Sequence, residues 1–279
     1  MQNDPAGGRK APATGSEAVR PVSLDTTAVK AFQVLELLSL SDAPMGVSAI
    51  ARELGLQNSN VHRLLTTLTA LGYVERNADL GRYSLALKVW EIGSRVVGRN
   101  PVKRAAQVFL SSLHRETSEH VYLAVLSGMD ILYIDKIDAH YPLRLTPQTG
   151  RRFPALFTAS GKAMLAYLPN AEQLVRGFLE GKPPPEALDL ATVLAEFETI
   201  RRNGYATSIS GWHRNINSIA APIWNETSTP VASIGISGPS ERLSPERLAE
   251  LAPAVLNAAA RTSESLGYNA MDRRAESRL

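Results

Sequence analysis

Two short amphipathic segments flank a tight turn between Ser48 and Leu71, and a pair of strand-length runs follows at once. This stretch constrains the fold more than any other. Ser48–Leu54 has helix length, with Ser48 as the expected N-cap and Gly55 in the C-terminal stop position. No Glu or Gln follows Ser48 by three residues, so a full capping box is missing. After the turn Gly55-Leu56-Gln57-Asn58, Ser59 is the expected cap of a helix to Leu71, stopped by Gly72. Val61, Leu64, Leu65, Leu68 and Leu71 recur on one face of that helix. Tyr73–Arg76 and Arg82–Leu85 read as strands around Asn77, Asp79 and Gly81, a hairpin or wing.

A winged helix-turn-helix lays its second helix in the DNA major groove, so the outer face must offer donors and acceptors to base edges. Asn60, His62, Arg63, Thr66 and Thr67 supply them, and the helix start at Ser59 can hold a phosphate through backbone N–H groups. Ser48, at the head of the preceding helix, is grouped with these, and Arg82 reaches the DNA backbone or minor groove from the wing. The net charge of +3 says little about nucleic acid, but its distribution says more. From Met45 to Arg104 the bases Arg52, Arg63, Arg76, Arg82, Lys88, Arg95, Arg99, Lys103 and Arg104 outnumber Glu53, Glu75, Asp79 and Glu91. Periodicity alone admits equally an amphipathic helix in a small bundle with a merely solvated polar face. Arg52 and Lys88 read more readily as solvated charges than as phosphate ligands.

With 279 residues the chain has room for two domains, and the class read from it is α+β. Leu24–Leu40 is a first helix, capped by Asp25 or Thr26, with Ala28, Ala31, Phe32, Leu35 and Leu38 inward. The polar, Gly- and Pro-rich residues 1–23 read as a disordered tail. From Ala86 to about Ser118 the pattern is helical, broken at Asn100-Pro101, and the second helix reads as an interdomain linker. Beyond it strands at Val121–Leu126, Ile131–Ile137, Leu143–Thr146, Tyr205–Ile209, Ile216–Ile223 and Val231–Ser237 alternate with helices. The helices read as Thr158–Tyr167, Ala171–Leu179, Leu190–Asn203 and a closing Pro245–Leu266 capped by Ser244.

There is no cysteine, which excludes disulfides and thiolate metal sites and suits a reducing compartment. No apolar run approaches the roughly 18 residues of a membrane helix, and the expectation is a cytoplasmic protein away from membranes. Gly161-Lys162 lacks the earlier glycine of a phosphate loop, whose place holds Leu156, and no Gly-x-Ser-x-Gly elbow occurs. His62, His114, His120, His140 and His213 show no metal-ligand spacing. Neither catalytic residues, a metal nor a cofactor is expected, and nothing singles out a carboxylate pair.

The runs Val47-Ser-Ala-Ile-Ala-Arg-Glu-Leu-Gly-Leu, Ser59-Asn-Val-His-Arg-Leu-Leu-Thr-Thr-Leu, Gly72-Tyr-Val-Glu and Gly81-Arg-Tyr-Ser-Leu resemble the IclR family of bacterial regulators. The resemblance continues through Tyr141-Pro-Leu-Arg-Leu, Thr158-Ala-Ser-Gly-Lys-Ala, Gly204-Tyr-Ala, Ile219-Ala-Ala-Pro-Ile and Ile234-Gly-Ile-Ser-Gly-Pro. It implies a winged helix-turn-helix (24–86), linker helices (87–117), a GAF-like effector-binding domain (118–270) and a tail (271–279). It also implies a homodimer, paired into tetramers in some members, on a palindromic double-stranded DNA operator, with a small-molecule effector and control of a catabolic operon. A ligand-independent DNA-binding protein is the alternative, against which the long C-terminal domain argues.

The resemblance places the effector against Ala159, Ser160 and Gly161, whose backbone amides would receive a carboxylate, and against Ser218, Gly235 and Ser237. Leu143, Ser208, Ser210 and Trp212 are assigned to the same pocket. Gly235, having no side chain, is expected to enlarge the cavity. Where many members carry an acidic stretch after Gly204-Tyr-Ala, this chain has Thr207 to Asn215, with Trp212, His213 and Arg214. That change favours an aromatic or other planar organic acid, with Trp212 packed under the loop as the plainer reading. Asn58, Asn60 and Thr66 replace residues common in the family's reading helix, so no relative's operator sequence carries over.

Overall fold

The computed structural model describes residues 24–140, 149–181 and 188–269. The two expected tails, the Leu143–Thr146 strand with Leu143 itself, and the loop at Pro183-Pro184-Pro185 lie outside them. The chain divides into two compact units, one up to Gly93 and one from Ser94 onward.

The first unit orders α1 (Thr26–Leu40), α2 (Val47–Leu54), α3 (Asn58–Ala70), β1 (Val74–Asn77) and β2 (Arg82–Leu85). Asp25 starts α1 by accepting from the N–H groups of Thr27 and Ala28 at 2.8 and 2.9 Å. Those bonds hold its carboxyl below the usual carboxylate range. Val34, Leu38, Ile50, Val61, Leu64, Leu65, Leu68, Val74 and Tyr83 form one core, each large apolar side chain contributing roughly 1.5–3 kcal/mol on burial.

The caps correct the expectation from sequence. Gly46 and Gln57 stand at the N-cap positions of α2 and α3, and neither gives a side-chain cap. Their carbonyls accept the first helical N–H groups, from Ala49 and Ile50 and from Asn60 and Val61. Ser48 and Ser59 therefore lie inside the first turns. Phe32, expected inward, is 65% exposed, because α1 packs through Val34 and Leu38 one position round the helix. Leu71 is exposed at the C-cap of α3 rather than buried on its apolar face. Gly55 ends α2 at φ 64°, the left-handed conformation that glycine adopts freely.

β1 and β2 pair from Val74↔Leu85 to Asn77↔Arg82, and the Asn77 side chain accepts from the Asp79 and Leu80 amides at the tip. Met45 and Tyr83 exchange two backbone bonds, of 2.8 and 2.9 Å, which fix the wing against the loop before α2. α4 (Leu87–Gly98) follows.

The second unit orders α5 (Pro101–Thr117), β3 (His120–Ser127), β4 (Asp130–Ile137), β5 (Arg152–Pro154), α6 (Ala159–Leu165), α7 (Ala171–Gly181), α8 (Leu190–Asn203), β6 (Ala206–Ile209), β7 (Ile216–Trp224), β8 (Pro230–Pro239) and α9 (Pro245–Ser265). Its six strands form one antiparallel sheet in the order β5-β4-β3-β8-β7-β6. α5 and α9 cover one face, where Val121, Leu123, Ile219, Ala221, Ile234 and Ile236 meet Ala106, Leu110, Val255 and Ala259. α5, read as a linker, is thus part of this core, and Asn100 starts it by accepting from the Val102 and Lys103 amides. α6 and α8 cover the other face, over Tyr122, Ala124, Tyr133, Ala206 and Ala220.

Candidate functional site

α3 turns about 100° per residue, so the buried Val61, Leu64, Leu65 and Leu68 occupy one arc. Ser59, His62, Arg63, Thr66 and Thr67 are exposed on the opposite arc, with Asn60 half-buried at its edge. Arg63 Nη2 donates to Asn60 Oδ1 at 3.2 Å, which holds the guanidinium along the helix. Thr66 and Thr67 donate their hydroxyls to the carbonyls of His62 and Arg63, leaving each oxygen as an acceptor on the open face. With no side chain capping α3, its first amides are open to a phosphate oxygen.

Ser48 sits beside this face through its hydroxyl, which accepts from Asn58 Nδ2 at 3.4 Å across the helix-turn-helix. Arg82 is exposed at the start of β2, where the wing ends. Lys88 is structural: its ammonium donates to the Leu71 carbonyl at 2.7 Å and lies 4.6 Å from the Tyr73 ring centre. Arg52 is exposed beside Glu53.

The second unit holds a cavity of about 60 Å³ on the α6 side of the sheet. Its polar floor is a row of hydroxyls. Ser208 pairs with Ser218 and Ser218 with Ser237, so three neighbouring strands put a serine at one level. Tyr133, Phe153, Phe157, Thr158, Trp212, His213 and Ile216 complete the lining. An aromatic chain runs along the wall, Tyr122–Tyr133 at 4.9 Å, Tyr133–Phe153 at 5.6 Å and Phe153–Trp212 at 5.6 Å, the last pair edge-on at 87°. No Asp, Glu, Lys or Arg lines the cavity among the described residues. Burial pushes the Tyr122 hydroxyl up to about 12 and raises Tyr133 as well. Both phenols stay neutral at ordinary pH.

Of the expected effector residues, Ser208, Trp212, Ser218 and Ser237 line this cavity, whereas Ser160 is buried in α6 and is not among the lining residues. Ala159 and Gly161 are buried in α6. The Gly161 amide is taken by the Thr158 hydroxyl at 3.1 Å, and a Cβ there would stand 2.2 Å from the Ala155 carbonyl oxygen. Gly161 answers a close approach of α6 to the turn before it. Ser210 closes its own loop, donating its hydroxyl to the Arg214 carbonyl at 2.6 Å.

Gly235 corrects another expectation, because it opens no cavity. A Cβ there would meet the Ile219 carbonyl oxygen at 2.4 Å and Ala220 Cβ at 2.7 Å, so β7 fills the space. Sequence reasoning missed Tyr133, Phe153, Phe157, Thr158 and Ile216. The inward alternation of β4 pointed to Tyr133, whereas Phe153 lies on the three-residue β5, too short to give a pattern. Trp212 is half exposed and lines the cavity while packing on Phe153, so the two readings of it hold together.

A larger depression of about 360 Å³, lined among others by Leu168, Glu172, Leu194, Glu198 and Arg201, is a surface feature. Its Arg201 is committed to the Ala166 carbonyl and to Glu198. Among the described residues there is no group of metal-ligating side chains and no helix long and apolar enough to cross a membrane.

Residues 27–78 match the IclR helix-turn-helix domain, and residues 94–264 match the family described as bacterial transcriptional regulator IclR C-terminal. The HTH-type transcriptional regulator KdgR of Escherichia coli (strain K12) is 32% identical over 249 residues, covering 88% of this chain and 94% of that relative. The crystal structure of Thermotoga maritima IclR superposes with a TM-score of 0.69 at 29% identity, over 87% of this chain and 99% of that one. An IclR homologue from Microbacterium hydrocarbonoxydans, complexed with 4-hydroxybenzoate, shares the fold at TM-score 0.73 and 21% identity, over 86% and 99% of the two chains. With both units matched in order, the chain belongs to the IclR family of DNA-binding transcriptional regulators.

Proposed function

We propose that this chain is a sequence-specific regulator in the cytoplasm that reads an operator with α3 and is switched by a small organic acid in the sheet cavity. Control of a catabolic operon fits that pairing. The observation that carries the reading is the hydroxyl row Ser208, Ser218 and Ser237 under a wall of Tyr133, Phe153, Phe157 and Trp212. Aromatic walls suit a planar ring, and hydroxyls with His213 suit its carboxylate, while the lack of lining acids disfavours polyol or metal recognition. A protein of the same fold from Microbacterium hydrocarbonoxydans is complexed with 4-hydroxybenzoate, which supports an aromatic acid as the effector.

A homodimer is part of the proposal. α4 carries Leu87, Trp90, Ile92 and Val96 exposed, on more than one side of the helix, and buries no residue. A helix apolar most of the way round belongs in a buried setting, and a second copy of the chain supplies one by two-fold symmetry.

The test is a titration of labelled DNA from the region upstream of the gene, at two salt concentrations and against random competitor DNA. It is repeated with benzoate, 4-hydroxybenzoate and short-chain acids. Binding that survives competitor, weakens with salt and shifts with one acid supports the reading. Stabilisation by neutral sugars alone in a thermal-shift screen would sink the organic-acid assignment.

A further inference from the structure

The cavity's outer wall is the loop of residues 210–215, which carries Trp212 and His213. A cavity of about 60 Å³ is well below the roughly 150 Å³ that accommodates benzene, so an aromatic occupant reaches the loop that forms the outer wall. Trp212 and His213 are exposed and stand outside any helix or strand, unlike the strand residues of the cavity floor.

One buried amide holds that loop from behind. Asn217 follows Ile216 and precedes Ser218, both cavity residues, so it faces the other side of the sheet. It is 2% exposed. Its Oδ1 accepts from the Ser210 N–H at 3.0 Å, and its Nδ2 donates to the Leu243 carbonyl at 2.8 Å. A second tie joins the same two loops, from the Ser240 N–H to the Asn215 carbonyl at 2.9 Å. The turn after β8 is itself firm, since the amides of Arg242 and Leu243 both return to the Pro239 carbonyl. From that turn Arg242 pairs with Glu119, whose side chain is only 6% exposed. Glu119 stands just past α5, where its carbonyl meets His114 Nδ1 at 2.9 Å and its N–H meets Thr117 Oγ1 at 3.3 Å. Successive polar links therefore run from the cavity wall to the last turn of α5, all within the second unit.

We propose that Asn217 is a positioning residue for the ligand response. It ties the outer cavity wall to the C-terminal turn of α5 through Leu243, Arg242 and Glu119. The proposal rests on the cavity being the small-molecule site, but its first test needs no ligand.

Hydrogen exchange is measured by mass spectrometry on the full chain, wild type against Arg242→Ala, Asn217→Leu and the double variant. Arg242 does not line the cavity, yet its replacement is expected to speed exchange at the amides of Ser210 and Ile216. The expected factor is about two to thirty, the range of coupling seen between linked sites. α7, α8 and the wing should exchange as in wild type, and the double variant should be no faster at the loop than Asn217→Leu alone. An unchanged loop in Arg242→Ala, or multiplying effects in the double variant, overturns the proposal. Arg242 is half-exposed, so that variant decides the question even if Asn217→Leu does not fold.

In a second arm 4-hydroxybenzoate is the probe. It should protect residues 206–209 in wild type and in Arg242→Ala, and residues 113–119 in wild type alone. Equal protection of 113–119 in both also overturns the link. A probe that protects neither segment counts against the small-acid reading of the cavity, while the ligand-free comparison still decides the role of Asn217.

Discussion

Arg63 and Asn60 share one hydrogen bond on the open face of α3, so the two side chains are held together there. If Arg63 reads a base edge, Arg63→Ala weakens operator binding by about 1–3 kcal/mol and relaxes the preference at one position. Uniform weakening on all sequences, with the salt slope lower by about one, would assign it to a phosphate instead. His120 is a second residue with a sharp expectation. Burial lowers its pKa from 6.5, Asp138 and Glu119 oppose that shift, and Lys136 adds to it. The folded chain thus binds fewer protons at this site than the unfolded chain just below pH 6.5, and stability contributed here is lost as pH falls through that window. Urea unfolding at pH 7 and pH 5 should show the loss, and His120→Gln should flatten it; an equal slope in both proteins would contradict the assignment.

At the level of elements, α5 depends on its first turn. Asn100 accepts two backbone N–H groups ahead of Pro101, and Asn100→Ala is expected to cost about 1 kcal/mol by denaturant titration. This start was legible in sequence, because an Asn-Pro pair ahead of an apolar period has few other uses. The caps of α2 and α3 were not. Ser48 and Ser59 are good capping residues, but Gly46 and Gln57 take the N-cap position through backbone geometry that composition does not announce. The hydroxyl row was legible, since Ser208, Ser218 and Ser237 were all assigned to the pocket, although only the strand pairing shows that they stand at one level. The aromatic wall was not, because it depends on β5 adding to the far edge of the sheet. Gly235 misled for the same reason, as a missing side chain signals a cavity only when no strand takes the space.

At the scale of the whole molecule, the proposed function needs two copies of the chain acting together. Trp90 is 69% exposed on α4, so Trp90→Glu should leave the fold intact by circular dichroism and shift a dimer toward monomer in light scattering. A monomeric wild type would remove the dimer from the account. Whether α3 reads sequence is decided by selecting bound fragments from a random double-stranded DNA pool, with and without 4-hydroxybenzoate. The expected outcome is enrichment of a two-fold symmetric sequence that Arg63→Ala fails to enrich. A pool unchanged from its input under both conditions would contradict it.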